Sequence, residues 1–470
     1  MKPDAQGRSE PKLSRRSLLT LGSLAAVGVI GTAARVPAAQ ASTPIPDRPA
    51  PTGAAEVAAR SAAAPRPKRA GTFQVWYSAN WNKVTDEAIG QIFVDWGKAN
   101  GVDVEWQAPG GSPAFSAKIA AAVAAGQPPE ICNADRTYWY SQGEMAALDE
   151  LVLKHQEAAG GMYPTAISTN RATDGKLMGA PYGIDVWPVH WREDLIRPAL
   201  GGRYFNNWDE VLDQGPKIQT PPRVFLLGFS LGHEGDHVNN IMSVLWGFGG
   251  RLNDEAGVPD LQNPDNKAGI ELIQRLWQAR LIPPETFAQT ITSWNNETYQ
   301  KGRAAMVINP ATIMGWLAVN DKELLDKTQL SNLPEGPNGA YVEASGIGFN
   351  YFKRAPMADL APNAIDYFLS PDNAQKVAKA VEGRFLPVYR DHANTEFWST
   401  GKWAEMKRLA EVGRVRNWPA PPQPWLTEFT DARFVLSDMM QKILNEGMRI
   451  EEAQAWAQRE AMEIYSKFKT

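Results

Sequence analysis

Thr72-Phe73-Gln74-Val75-Trp76-Tyr77 is a β-rich run, and the residues after it change period. Val84, Ile89, Ile92, Phe93 and Trp96 fall on one face of a helix, and Gly101 stands just past its end, where a left-handed residue closes the last turn. Val102, Val104 and Trp106 then alternate as a strand. A second helix, opened by Pro113 and carrying Phe115, Ile119 and Val123, runs to Gly126, and Glu130–Asn133 reads as the next strand. Strand–helix–strand–helix–strand predicts a parallel α/β sheet, with strand ends facing a ligand crevice.

Downstream, Lys176–Pro181 and Val186–Trp191 read as strands, and a helix starts near Asn207-Trp208-Asp209-Glu210. The last third is mainly helical, over Ala361–Leu369, Pro371–Val381, Ala404–Val412, Thr430–Glu446 and Glu451–Phe468. At 470 residues, the chain suits two domains or one large split one.

Upstream lies an address. Ser14-Arg15-Arg16-Ser17 precedes an apolar run from Leu18 to about Ala34, and Ala39-Gln40-Ala41 supplies the small residues of a cleavage site. This pattern predicts a twin-arginine export signal over 1–41 and a flexible Ala/Pro/Arg linker over 42–70. Residues 1–70 carry a charge of +7 and residues 71–470 a charge of −11. An acidic body without a basic stripe excludes a nucleic-acid partner. Cys132 is the one cysteine, so no intrachain disulfide forms; its place in an apolar strand predicts a buried thiol.

Two stretches match enzyme motifs. Gly228-Phe229-Ser230-Leu231-Gly232 fits the nucleophile-elbow pattern, and His233-Glu234-Gly235-Asp236-His237 fits the zinc-protease pattern. Gly232 and Gly235 weaken any helix through both histidines, and no third ligand follows. The four polar residues His233, Glu234, Asp236 and His237 are costly to bury where a hydrolase helix packs on its sheet. Asp236 is expected to cap a helix over Val238–Trp246. No catalytic residue, metal or cofactor is expected.

Several spaced phrases resemble the extracellular solute-binding family that includes maltose-binding protein. They are Ala125-Gly126-Gln127-Pro128-Pro129-Glu130, Gly143-Glu144-Met145-Ala146-Ala147-Leu148-Asp149, Gly175-Lys176-Leu177-Met178-Gly179-Ala180-Pro181 and Asn207-Trp208-Asp209-Glu210-Val211. Tyr299-Gln300-Lys301-Gly302-Arg303-Ala304-Ala305-Met306 is similar to that family's "F-x-x-G-x-A-A-M" phrase, and Leu333–Pro337, Phe368–Asp372 and Leu386-Pro387-Val388 follow in the same order. Glu130 stands where the family usually has Asp. The resemblance implies an α/β, two-lobed periplasmic-binding-protein fold of type II, each lobe a mostly parallel sheet flanked by helices. It places the N-lobe at 71–182 and 311–355 and the C-lobe at 183–310 and 356–470, with crossovers near Pro181, Asn309 and Lys353.

The function so implied is the substrate-binding component of an ABC uptake transporter. It would work outside the cytoplasmic membrane as a monomer that closes on its ligand and delivers it to a membrane permease. The alternative is an exported hydrolase acting on a polysaccharide or ester. Sugars present apolar C–H faces to aromatic rings and hydroxyls to Asp, Glu, Asn and Arg. Seventeen tryptophans and a mixed polar set favour a carbohydrate, polyol or sugar acid, with Arg136 or Arg384 in the cleft favouring the acid. The candidate ligand-binding residues are Trp81, Asp135, Trp139, Tyr182, Asp185, Trp187, Asn309, Trp316, Glu343 and Arg384. Each lies beside a predicted strand end or crossing segment.

Overall fold

The computed structural model describes residues 71–79, 83–109, 113–290, 293–381 and 383–468. The expected export signal, the linker and Trp81 lie outside these.

The opening pattern folds as read. Strand β1 (Thr72–Trp76) is followed by a helix Lys83–Asn100, β2 (Asp103–Gln107), a helix Pro113–Ala124 and β3 (Ile131–Cys132), with β2 and β3 both parallel to β1. Gly101 has φ +68° and stops the first helix. Ile89, Ile92, Phe93 and Trp96 are buried, whereas Val84, in the first turn, is 54% exposed and leaves the expected face. Cys132 is fully buried, and that burial pushes its thiol up to about 12.

Two sheets result, one per lobe. The first has the order β10-β4-β9-β3-β1-β2, where β4 is Ala180–Val186, β9 is Ala344–Tyr351 and β10 is Leu386–Pro387. The second has the order β6-β7-β5-β8, from Phe225–Leu227, Ala304–Ile308, Val189–Arg192 and Thr328–Ser331. The sheets are mixed rather than mostly parallel: β9 runs antiparallel to β3 and β4, and β5 antiparallel to β7 and β8. Phe93 and Phe368 stack at 5.0 Å between ring centroids, and Phe349 meets both edge-on, forming the aromatic centre of the first lobe.

Strand pairing moves the expected lobe boundaries. β4 continues past Pro181 to Val186, and the break comes at Pro188, which has no N–H to give a ladder. Residues 312–331, expected in the N-lobe, stay with the second sheet because β8 pairs with β5. Residues 361–387, expected in the C-lobe, stay with the first because Leu386 pairs with Ile184. The crossings are therefore at 187–188, 342–344 and 413–416. They are bonded to one another: Ala344 N–H donates to Arg414 O and Arg414 N–H to Val342 O, each at 2.9 Å. Past the third crossing, helices Val435–Leu444 and Ile450–Ser466 pack on His237–Trp246 and Pro264–Gln278 of the second lobe.

Candidate functional site

The crossing segments and the ends of both sheets bring a set of buried polar residues together. From the first lobe come Asp185, near the end of β4, and Arg384, just before β10; their side chains form an ion pair, 13% and 7% exposed. From the second crossing comes Glu343, 7% exposed, with Oε1 at 3.5 Å from Ser345 Oγ and Oε2 without a hydrogen-bond partner among the described residues. The third crossing contributes Arg416, which donates to Asp431 at 3.0 Å and to Thr430 at 3.2 Å. The second lobe adds Asp236, at the start of the helix His237–Trp246.

Electrostatics link these groups. Burial pushes the Glu343 carboxyl up to about 7, with Arg416 opposing and Asp185 and Asp431 adding to the rise. Burial likewise raises Asp236, against a hydrogen bond from Asn295, and Asp185 adds to it. Asp135 is raised mainly by burial, and Asp431 of the other lobe contributes to the shift. Groups from both lobes thus feel one another across the junction.

Asn309 supports this arrangement. Its Nδ2 donates to Asn295 Oδ1 at 2.8 Å, and its Oδ1 accepts from Thr312 Oγ1 at 3.2 Å. Asn295, which bonds Asp236, is held through Asn309 at the end of β7.

Aromatic candidates fare differently from polar ones. Tyr182 lies in the core of the first lobe, 4.9 Å from Phe349, with its hydroxyl accepting from Asn133 and donating to Tyr77. Trp139 is packed 5.9 Å from Phe352 in a small cluster with Cys132 and Phe115. Trp187 is buried at the first crossing, and Trp316 is 42% exposed on the helix Thr312–Asn320. Arg136 is spent on structure: it donates to Asn133 O and Gly348 O at 2.8 Å each and to Asn170 at 2.9 Å.

Sequence reasoning missed Asp236 as a site group. It stands at the N-cap position but its side chain makes no capping bond, so the expected cap is absent. On the helix that follows, Asn239, Ser243 and Trp246 share one face by spacing, are each at most 1% exposed, and carry side-chain N or O atoms without a hydrogen-bond partner among the described residues. Polar residues at that spacing in an otherwise apolar helix were the available signal.

Neither enzyme motif is assembled. His233 lies before the helix, with Nε2 2.6 Å from Asp438 and its ring stacked on Phe434 at 4.9 Å, while His237 Nδ1 faces Glu234 O at 2.5 Å. Ser230 is buried, its N–H donating to Asn240 at 3.2 Å, and no hydrogen bond among the described residues joins its hydroxyl to a histidine. No group of three or more His, Cys, Asp or Glu among the described residues could hold a metal.

Two lobes, three bonded crossings and a polar junction between them define a hinged binding protein. Residues 91–407 match the family model described as bacterial extracellular solute-binding protein, and the chain belongs to that family. Solved structures agree on the fold. A sugar transporter from Arthrobacter chlorophenolicus with bound laminaribiose matches with a TM-score of 0.70 at 17% identity, covering 84% of this chain and 99% of that one. A solute-binding protein from Thermotoga lettingae bound with α-D-tagatose gives 0.70 at 19%, with the same coverages of 84% and 99%. The GacH receptor of Streptomyces glaucescens, solved unliganded and with acarbose, gives 0.68 at 18%, covering 86% of this chain and all of that one.

Proposed function

We propose that the chain is the extracytoplasmic substrate-binding component of an ABC uptake transporter, capturing a carbohydrate or polyol between its lobes. The observation that carries this reading is the match of residues 91–407 to the solute-binding family, beside the buried polar groups Asp185, Glu343 and Asp236 that one lobe, a crossing segment and the other lobe contribute. A ligand touching all three binds the closed form better than the open one, and only such differential affinity drives closure. Asn239, Ser243 and Trp246 supply amide, hydroxyl and indole groups suited to sugar hydroxyls. Several structural relatives hold sugars or polyols in the same fold. Trp81, Asp185, Asn309, Glu343 and Arg384 are the proposed ligand-site residues from the sequence, joined by Asp236 and Asn239.

Export by the twin-arginine route, delivery to a separate membrane permease and a monomeric state complete the proposal. Among the described residues no helix is long and apolar enough to cross a membrane. The test is thermal unfolding of the purified protein against mono- and oligosaccharides, polyols and sugar acids, because a ligand of the folded state raises the melting temperature as ln(1 + [L]/Kd). A shift with the ligand recovered intact supports capture. A consumed ligand would establish the hydrolase instead. Replacing Arg15 and Arg16 by Lys should hold the protein in the cytoplasm; unchanged export would remove the twin-arginine assignment.

A further inference from the structure

The second crossing has two faces. Ser345 Oγ stands 3.5 Å from Glu343 Oε1, so these two side chains share the face toward the polar junction. Ala344 between them turns to the other, as alternate residues of a strand do. On that far face lies a groove of about 390 Å³, lined by Ala344 and Gly413 of the crossings. One wall comes from the first lobe, between Thr165 and Arg171, and the other is the loop 417–422 of the second lobe. Asn253 donates to Asn417 O at 3.0 Å and fastens that loop to the second lobe.

Two arginines line the groove, Arg171 from the first lobe and Arg414 on the third crossing, and no Asp or Glu does. The Arg414 guanidinium is sandwiched between the rings of Tyr341 and Trp418, 3.5 and 3.6 Å from their centroids, and Nη1 donates to Trp246 O at 3.3 Å. Stacking on both faces holds the planar fork still and leaves its edge for an acceptor. Arg171 donates to the Gly175 carbonyl. Neither arginine is paired with a carboxylate among the described residues. The acidic groups of the flanking segments are engaged elsewhere. Glu343 faces the junction, where Arg416, Asp185 and Asp431 act on it, while Asp431 pairs with Arg416 and Glu411 with Arg390.

Two guanidiniums lining a groove without a carboxylate suit an anion, and a fixed guanidinium fork matches the two oxygens of a carboxylate. An inorganic anion fills little of the space, since a water molecule occupies only about 30 Å³. Val415, Pro421 and Pro422 add apolar walls suited to a short carbon chain. We propose that this groove is a second ligand site, taking a small dicarboxylic acid whose carboxylates meet Arg414 and Arg171. One arginine belongs to the first lobe and the other to the third crossing, so the occupant touches both sides of the hinge. It therefore binds some lobe angles better than others. The site is separate from the polar junction and does not depend on which solute is captured there.

The experiment is calorimetric titration of the purified protein with succinate, butyrate and sulfate, without sugar and at constant ionic strength. The expected result is one succinate per chain, bound more tightly than butyrate or sulfate. Arg414→Lys keeps the charge but loses the fork, and Arg171→Gln leaves the stacked arginine in place. Each should weaken succinate binding about tenfold, whereas Arg275→Gln, an exposed arginine of the second lobe, should not. If Arg414→Lys fails to fold, Arg171→Gln decides. Butyrate or sulfate binding as tightly as succinate overturns the dicarboxylate assignment. Succinate binding that the groove variants leave unchanged overturns the location, and the failure of every probe to bind overturns the proposal. A sugar panel without any response leaves it standing, because succinate binding is read in the absence of sugar.

Discussion

The Trp187 N–H donates to the Glu343 carbonyl oxygen at 2.9 Å and ties the first crossing segment to the second. Glu343 thereby has two roles on one residue. Its main chain joins the crossings, and its side chain is buried in the polar junction beside them.

The third crossing is held as closely. A Cβ on Gly413 would lie 2.4 Å from the Ala344 Cβ and 3.0 Å from the Leu409 carbonyl oxygen, while its φ of −66° is open to any residue. Gly413→Ala therefore acts through crowding alone. It should push the third crossing off the second and cost about 1–3 kcal/mol, the usual penalty of overpacking. Urea denaturation reads the loss; an unchanged midpoint would mean the crossings are not packed this tightly.

Asp185 and Arg384 form a pair that is far more informative broken than intact. Replacing Arg384 by Met leaves the Asp185 carboxylate buried without its cation, which typically costs about 3–5 kcal/mol. Replacing both, with Asp185→Leu added, should recover much of that stability while ligand binding stays impaired. A double-mutant cycle on melting and on affinity separates the two effects. If Arg384→Met melts like the wild type, the pair is not buried as described.

The first lobe was legible in the sequence because its order is local: the period change from Thr72–Tyr77 to the helix and back fixes β1 to β3 without distant partners. Lobe boundaries were not, since whether 312–331 or 361–387 joins one sheet depends on β8 meeting β5 and β10 meeting β4 across long stretches of chain. Pro188 was a local clue to the first crossing. Asp185, Glu343 and Arg384 could be picked out as candidates because a charged residue beside a strand end is hard to place in a core, and all three are buried near the crossings. Tyr182 and Trp139 share that position, but aromatic rings serve a core equally well, and theirs do. Asp236 resembled a helix cap, a role that short polar residues before helices so often fill.

Stability should fall as pH rises. The Glu343 carboxyl sits at about 7 in the folded protein, above its ordinary value, so between that value and 7 the folded state holds a proton that the unfolded state has released. Its favourable contribution is complete at low pH and is lost as pH climbs through about 7, with a slope of up to about 1.4 kcal/mol per pH unit. Glu343→Gln carries no charge at any pH. The variant should gain on the wild type from pH 5 to about pH 7 in denaturant titrations and level off above that. A constant difference across that range would show that Glu343 is solvated.

Asn239 and Ser243 give the sharpest division between a structural and a binding role. Both are buried, and the Asn239 amide atoms and the Ser243 hydroxyl have no hydrogen bond among the described residues. Removing a buried polar group that lacks a partner gives up no bond in the free protein and relieves its desolvation cost, so Asn239→Ala and Ser243→Ala should melt no lower than the wild type. Binding behaves oppositely if these groups meet ligand hydroxyls: each lost bond costs about 0.5–1.5 kcal/mol, a weakening of roughly two- to tenfold per substitution. The measurement is melting temperature with and without saturating sugar, set beside Trp139→Leu. Trp139 is packed against Phe352, and its truncation should lower the melting temperature while leaving affinity unchanged. The opposite pattern, with Trp139→Leu losing affinity at constant stability and Asn239→Ala losing stability at constant affinity, would exchange the parts of the two faces and move the ligand from the second lobe's helix to the first lobe's aromatic cluster.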